Sequence, residues 1–255
     1  MRPVSPVMVN RIISVMTPIV LLALWEVAAR VGWVDVRFFS SPSRISTEFA
    51  TMAGSGELLK HTWVSLVRVL IGFAIGTTLG VILGLAMGLL PKVSAVFKPL
   101  IDATFPIPKV GLLPLVIIVF GLGEASKYAI IAISAFYLIV INTAAGVRQI
   151  ERIYLDVGRN YHAGRMMMFT DVALPGALPS IITGMKISMG VSLIIIVTAE
   201  SLAAKSGIGF LIWTSWQVFE VEKMYVGLFL SAVMGFLLAV LLDWTEKKLI
   251  PWEGT

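Results

Sequence analysis

The stretch VLIGFAIGTTLGVILGLAMGLL, residues 69–90, decides the fold. It holds no charged side chain, and as a helix rising 1.5 Å per residue it would reach roughly 30 Å, the thickness of a bilayer's hydrocarbon core. Gly72, Gly76, Gly80, Gly84 and Gly88 recur within it at a strict spacing of four. Residues four apart share a helix face, so these glycines form one smooth stripe. In lipid, such a stripe lets another backbone approach closely, where packing must replace a hydrophobic drive. The segment therefore predicts a membrane span with a packing seam, facing another helix of the same chain first and a second subunit as the alternative.

Outward from this span the same composition continues. The chain has 255 residues, 58% hydrophobic and 14% charged, against about 25% charged in an ordinary soluble domain. Further apolar runs occupy residues 12–29, 110–123, 128–147, 172–199 and 224–242. About six transmembrane helices are expected, in an all-α membrane protein. The run at 12–29 contains Pro18, Trp25 and Glu26 and no small-residue cleavage site, so it reads as a retained first helix rather than a signal peptide. There is no cysteine, and His61 and His162 are the two histidines. That composition excludes disulfides, thiolate metal sites and cysteine nucleophiles, and no metal site is expected. The net charge of +5 comes from basic residues flanking apolar runs, as membrane topology requires and not as a nucleic-acid surface would show.

Loop charges set the direction. With both termini in the cytoplasm, the inner segments hold Arg2, Arg11, Lys92, Lys98, Arg148, Arg152, Arg159, Arg165, Lys247 and Lys248. The outer segments hold Arg30, Arg37, Arg44, Lys60, Lys127, Lys205 and Lys223, with Arg68 at a helix mouth. The inner excess favours this orientation. The third span, 110–123, extends backward through 99–109 and carries Pro106, Pro108 and Pro114. These prolines preclude a regular helix, and irregular backbone at membrane depth belongs where protein or a water-filled cavity covers it. Pro106, Pro108 and Lys109 are thus candidates for lining a substrate path, as are Lys186 and Glu200 in or beside later spans. Lys109 and Lys186 would together favour an anion; the alternative is that both lie at the membrane boundary with their amines reaching water.

The longest polar connection, 148–179, separates the fourth and fifth spans. Ile153, Tyr154, Val157 and Tyr161 recur at helical spacing with charges between them. Gly164 suits a helix end, a second short helix can follow from Met166, and Pro175 and Pro179 are expected to break the chain before the membrane. Such an amphipathic pair could dock in a partner's groove or lie on lipid.

These residues resemble the inner-membrane permeases of binding-protein-dependent ABC importers, and most of all their nitrate/sulfonate/taurine branch. That family carries a cytoplasmic motif E-A-A, three residues, then G, followed by L-P. Here Asp156, Val157 and Gly158 stand at the first three positions, His162 at the glycine, and Leu174-Pro175 at the L-P pair. Gly176-Ala177-Leu178-Pro179, Gly184, Ser41-Pro42-Ser43, Pro114-Leu115, Gly121-Leu122-Gly123-Glu124 and Ala199-Glu200 are also similar, in order and spacing. Asp in place of glutamate and His162 in place of glycine are departures, and histidine tolerates positive φ better than most side chains.

The resemblance implies the type I ABC importer permease fold, with a coupling helix that docks on an ATPase. Its residues would be Asp156, Val157, Gly158, Arg159, Tyr161, His162, Ala163, Gly164 and Arg165, with Leu174 and Pro175 closing the loop. Residues 1–255 would form one permease domain: an N-terminal extra helix and outer loop at 1–60, then a five-helix unit at 61–250. Implied partners are a second permease subunit, most simply an identical one, two cytoplasmic ATPase subunits binding ATP and Mg, and an external solute-binding protein. The location implied is a bacterial inner membrane. The chain has no phosphate loop of the form G-x-x-x-x-G-K-[ST], so it is not itself the ATPase and carries no catalytic residues. An ion-gradient carrier is the rival reading, disfavoured by the absence of a second proline-broken segment and by few acidic or histidine groups inside the spans.

Overall fold

A computed structural model describes residues 6–251, with the side chains of 6–12, 15, 159 and 165 outside the description. Of the basic residues used above, Arg2 and the side chains of Arg11, Arg159 and Arg165 lie outside it. The described chain is all helix. Helix α1 spans Pro6–Val31, α2 Val36–Phe39, α3 Pro42–Ser55 and α4 Glu57–Leu89. Next come α5, Pro91–Thr104, a 3-10 turn, Lys109–Leu112, and α6, Leu113–Phe120. Helix α7 covers Glu124–Gln149, α8 Arg152–Asn160 and α9 Arg165–Met167; a π-helical turn, Met168–Ala173, leads into α10, Leu174–Ala203. Helices α11, Ile208–Gln217, and α12, Val221–Leu249, complete the chain.

Among the described residues four helices are long and apolar enough to cross a membrane, and a fifth crossing arises if α5 and α6 count as one bent span. The bend is 93°. It falls where irregular backbone is expected, because Pro106 and Pro108 cannot donate backbone hydrogen bonds. Pro114 instead sits in the first turn of α6, where no intrahelical donor is needed.

The glycine stripe packs within the chain. A Cβ on Gly72 would lie 2.6 Å from Ile131 Cβ, one on Gly80 3.0 Å from Ile139 Cβ, and one on Gly84 2.5 Å from Thr143 Cβ. At Gly76 it would strike the Ala132 carbonyl oxygen, and at Gly88 the Val147 side chain. All five face α7, whose Ile131, Ala135, Ile139 and Val140 are fully buried. Helices α7 and α10 approach through Gly146, beside Ser180, and Gly184, beside Asn142. The core is therefore the α4–α7–α10 sandwich, with α11 and α12 packed on its far side.

Gly76→Val is expected to force α4 from α7 at a cost of about 1–3 kcal/mol, seen as a lower melting temperature of the detergent-extracted protein. Gly54→Ala, where a Cβ meets nothing within 4 Å, should leave it unchanged or slightly raised.

Two expectations about the 148–179 connection need correction. Pro175 and Pro179 do not break the chain: α10 begins at Leu174, with Pro175 in its first turn and Pro179 inside. The π turn runs directly into α10, with the Leu174 N–H donating to the Phe169 carbonyl, and its wider backbone gives the Pro175 ring room. Gly164 does not end the preceding helix either. Helix α8 stops at Asn160, and the Gly164 carbonyl already accepts from the Met168 N–H at 3.0 Å, opening the next helix.

Candidate functional site

Helix α8 hangs outside the bundle, while the second half of its loop is anchored. Ala173 and Ala177 are fully buried with Ile181, Leu85 and Val147, and Leu174 packs against them. On α8 and its turn, Ile153, Tyr154, Val157 and Tyr161 are exposed, Tyr161 at 85%; Met166 follows at 75%. Gly158 faces inward, where a Cβ would press on Met168 Sδ at 2.5 Å. A cleft of about 440 Å³ runs between α8 and the anchored half, lined by Ile150, Tyr154, Val157, Asp171 and Pro175.

The turn is a left-handed cap. His162 has φ 55°, and the Ala163 N–H donates to the Gly158 carbonyl at 2.9 Å. A residue of positive φ bridged by such a six-to-one bond is the Schellman arrangement, normally completed by glycine. The side chain at 162 thus keeps the tight turn at a cost of about 1 kcal/mol. His162→Gly should slow amide exchange at Ala163 about fivefold, and His162→Val, β-branched at positive φ, should speed it; hydrogen-exchange mass spectrometry of the loop checks both.

A second constellation lies at the opposite ends of the same helices. His61, Ser65 and Arg68 fall at i, i+4 and i+7 on α4 and are all buried. Arg68 Nη1 donates to Glu200 Oε1 at 2.8 Å and to the Ser206 carbonyl at 2.6 Å. Its Nε and Nη2 form a fork on Glu124, both at 2.6 Å. Glu200, fully buried near the end of α10, also accepts from Ser65 Oγ at 2.8 Å and the Gly209 N–H at 2.9 Å. The Ile208 N–H donates to Ser65 Oγ at 2.8 Å, and the Gly207 N–H to His61 Nδ1 at 3.0 Å. Gly207 has φ 121°, and a Cβ there would fall on the Glu200 carboxylate. Beside them Lys127, 2% exposed, donates to the Leu122 and Gly123 carbonyls at 3.0 Å each.

Sequence reading placed Arg68 at a helix mouth, Lys127 in an outer loop and Glu200 beside a path. All three are inside the protein, where Glu200 joins α4 to the α10–α11 turn. The spans therefore hold more buried acid and histidine than their sequence suggested. The signal was available: positions 61, 65 and 68 continue the stripe that Gly72–Gly88 occupies one turn further on.

The other path candidates lie apart. Lys109 Nζ donates to the carbonyls of Thr104, Phe105 and Ile107 at 3.0–3.1 Å and stands 4.0 Å from the Tyr137 ring centroid. It satisfies the last carbonyls of α5 across the bend, beside Pro106 and Pro108. Lys186 pairs with Asp243 at 2.5 Å and Glu246 at 2.7 Å on α12. The structure gives the two lysines different partners, neutral for Lys109 and anionic for Lys186. Among the described residues no group of three or more His, Cys, Asp or Glu side chains could hold a metal.

Comparison with known proteins adds four matches. The profile of the binding-protein-dependent transport system inner membrane component family matches residues 76–251. SsuC of Escherichia coli K12, a candidate aliphatic sulfonates transport permease, is 37% identical over 236 residues, 92% of this chain and 90% of that protein. TauC of the same organism, a taurine transport system permease, is 31% identical over 247 residues, 95% of this chain and 90% of that one. Among solved structures, an inward-facing conformation of the MetNI methionine ABC transporter superposes with a TM-score of 0.69. That match covers 77% of this chain and 98% of that one at 15% identity, a likeness of fold alone.

Proposed function

This chain belongs to the family of binding-protein-dependent transport system inner membrane components, and from that premise we propose that it carries a small sulfonate-like anion into the cytoplasm. It is the multi-pass inner-membrane permease of an ABC importer, a transport subunit and not an enzyme. Its relatives' names, aliphatic sulfonates and taurine, support the substrate class. Lys109 fits an anion better, because its partners are carbonyl oxygens and no carboxylate pairs with it among the described residues, whereas Lys186 is neutralised by two carboxylates. The bend at Pro106, Pro108 and Lys109 lines the path in this reading, and Glu200 and Lys186 tie helices together.

The working unit is a homodimer of this chain on two ATPase subunits that bind ATP and Mg, fed by an external binding protein. Helix α1 serves as the sixth span, with both termini cytoplasmic, outside the five-helix unit at 61–250. Asp156–Arg165, the last turn of α8 and the cap that follows it, is the coupling segment: ATP-driven closure of the ATPases moves it, and the α7 and α10 spans carry that motion to the outer ends. The observation that carries this assignment is the apolar row Ile153, Tyr154, Val157 and Tyr161, exposed on a short helix that hangs outside the bundle.

Uptake of labelled taurine and of a short alkanesulfonate, in cells given this chain with its cognate ATPase and binding protein, tests the substrate. Uptake should be saturable and should fall several-fold in Lys109→Met but not in Lys186→Met. A transporter that moves an uncharged solute equally well in both variants would refute the anion assignment.

A further inference from the structure

We propose that the groove between α1, α3 and α12 holds one acyl chain of an anionic phospholipid, whose phosphate is bound by Arg30 and Arg44; this rests on the reading of α1 as a membrane span. The groove has a volume of about 580 Å³ and is walled by Leu22 and Trp25 of α1, Ile45 and Phe49 of α3, and Tyr225 and Phe229 of α12. Helix α1 touches the rest of the chain through few fixed points. Its Glu26 accepts from the Ser43 N–H at 3.0 Å and from Ser43 Oγ at 2.8 Å, and the Trp25 and Tyr225 ring centroids stand 5.5 Å apart. Below that clasp the two helices face each other across the groove.

Size selects the occupant. At the roughly 30 Å³ that a water-sized group occupies, the groove takes about twenty methylenes, close to one acyl chain. A spanning helix, about 10 Å across and 30 Å long, fills on the order of 2,000 Å³ and could seat only some of its side chains. Charge selects the headgroup. The next residues of the same two helices form a polar cleft of about 380 Å³ with Arg30, Ser41, Ser43 and Arg44. Arg30 spends its Nε on Glu26 at 2.7 Å, and Arg44 comes only within 3.7 Å of Glu222, beyond hydrogen-bond reach. Guanidinium donors beside an apolar slot match a phosphate with its chain attached.

Native mass spectrometry of the full chain with its ATPase partner, exchanged into detergent containing phosphatidylglycerol and phosphatidylcholine, tests this. One phosphatidylglycerol should stay per chain. Ser46→Trp, which fills the groove from α3, should lower its retention at least fivefold. Arg30→Gln with Arg44→Gln should abolish the preference over phosphatidylcholine while a chain is still held. Retention equal in Ser46→Trp and the parent, no retained lipid, or a crosslink between two copies through Ser46→Cys would each overturn the proposal. Because the chain has no cysteine of its own, a lone Val20→Cys reports α1 separately. Labelling of that thiol by a membrane-impermeant maleimide sinks the span reading, whereas protection without retained lipid sinks the lipid alone.

Discussion

Glu200→Ala should remove most of the folded permease from membranes, while Glu124→Ala should remove little, although both carboxylates bind the same arginine. Arg68 and Glu200 are 3% and 0% exposed; Glu124 is 51% exposed. Deleting the buried partner of an ion pair costs up to about 3–5 kcal/mol, less here by what Arg68 retains in its fork on Glu124. An exposed partner contributes about 0–1 kcal/mol, because water replaces it. The Gly209 N–H and Ser65 Oγ lose their acceptor as well in the first variant. Fluorescence-detected size exclusion before and after heating measures the difference. Equal losses in the two variants would mean that burial does not set the strength of this network. Replacing Arg68 and Glu200 together by methionine should recover part of the loss, since neither charge is then stranded.

Val157→Asp is expected to have the opposite signature: normal amounts of folded chain, no uptake, and no ATPase recovered with it. Val157 is 49% exposed on α8 and contributes no buried core, so the fold tolerates a carboxylate there. In a docked interface the same carboxylate would be desolvated without a partner, and a penalty of about 3 kcal/mol weakens binding roughly a hundredfold. Ala163→Asp should act alike, and Tyr161→Ala should weaken docking by removing an exposed aromatic anchor. Pull-down of the tagged chain with quantitation of the ATPase, beside uptake, separates this from misfolding. Normal uptake in Val157→Asp and Ala163→Asp would place the docking surface elsewhere on the loop.

The sequence by itself determined the membrane and the family. Long uncharged runs have no other solvent than lipid, and the glycines at spacing four required a close helix neighbour, later seen to be α7. The loop motif was also local, since its apolar row and cap are set by residues within one or two turns. His162 took the glycine's positive φ in place, so a departure from the family pattern left the turn intact.

What needed the tertiary structure was anything fixed by partners far along the chain. Arg68, Glu124 and Glu200 are 56 and 132 residues from one another along the arginine's two contacts, and no local period links them. Read singly, each is a charge at the end of a span with water nearby. Only the packing of α4, α7 and α10 excludes that water from Arg68 and Glu200 and joins all three charges in one network that Glu124 closes at the surface. The prolines misled for a related reason. Pro175 and Pro179 are helix breakers by local chemistry, but the turn before α10 widens and the bundle holds Ala173 and Ala177, so the helix starts through them. Lys109 and Lys186 look alike in sequence, both basic and near apolar runs. Their difference, carbonyls around one and carboxylates around the other, was decided by which helix ends the fold brought within reach.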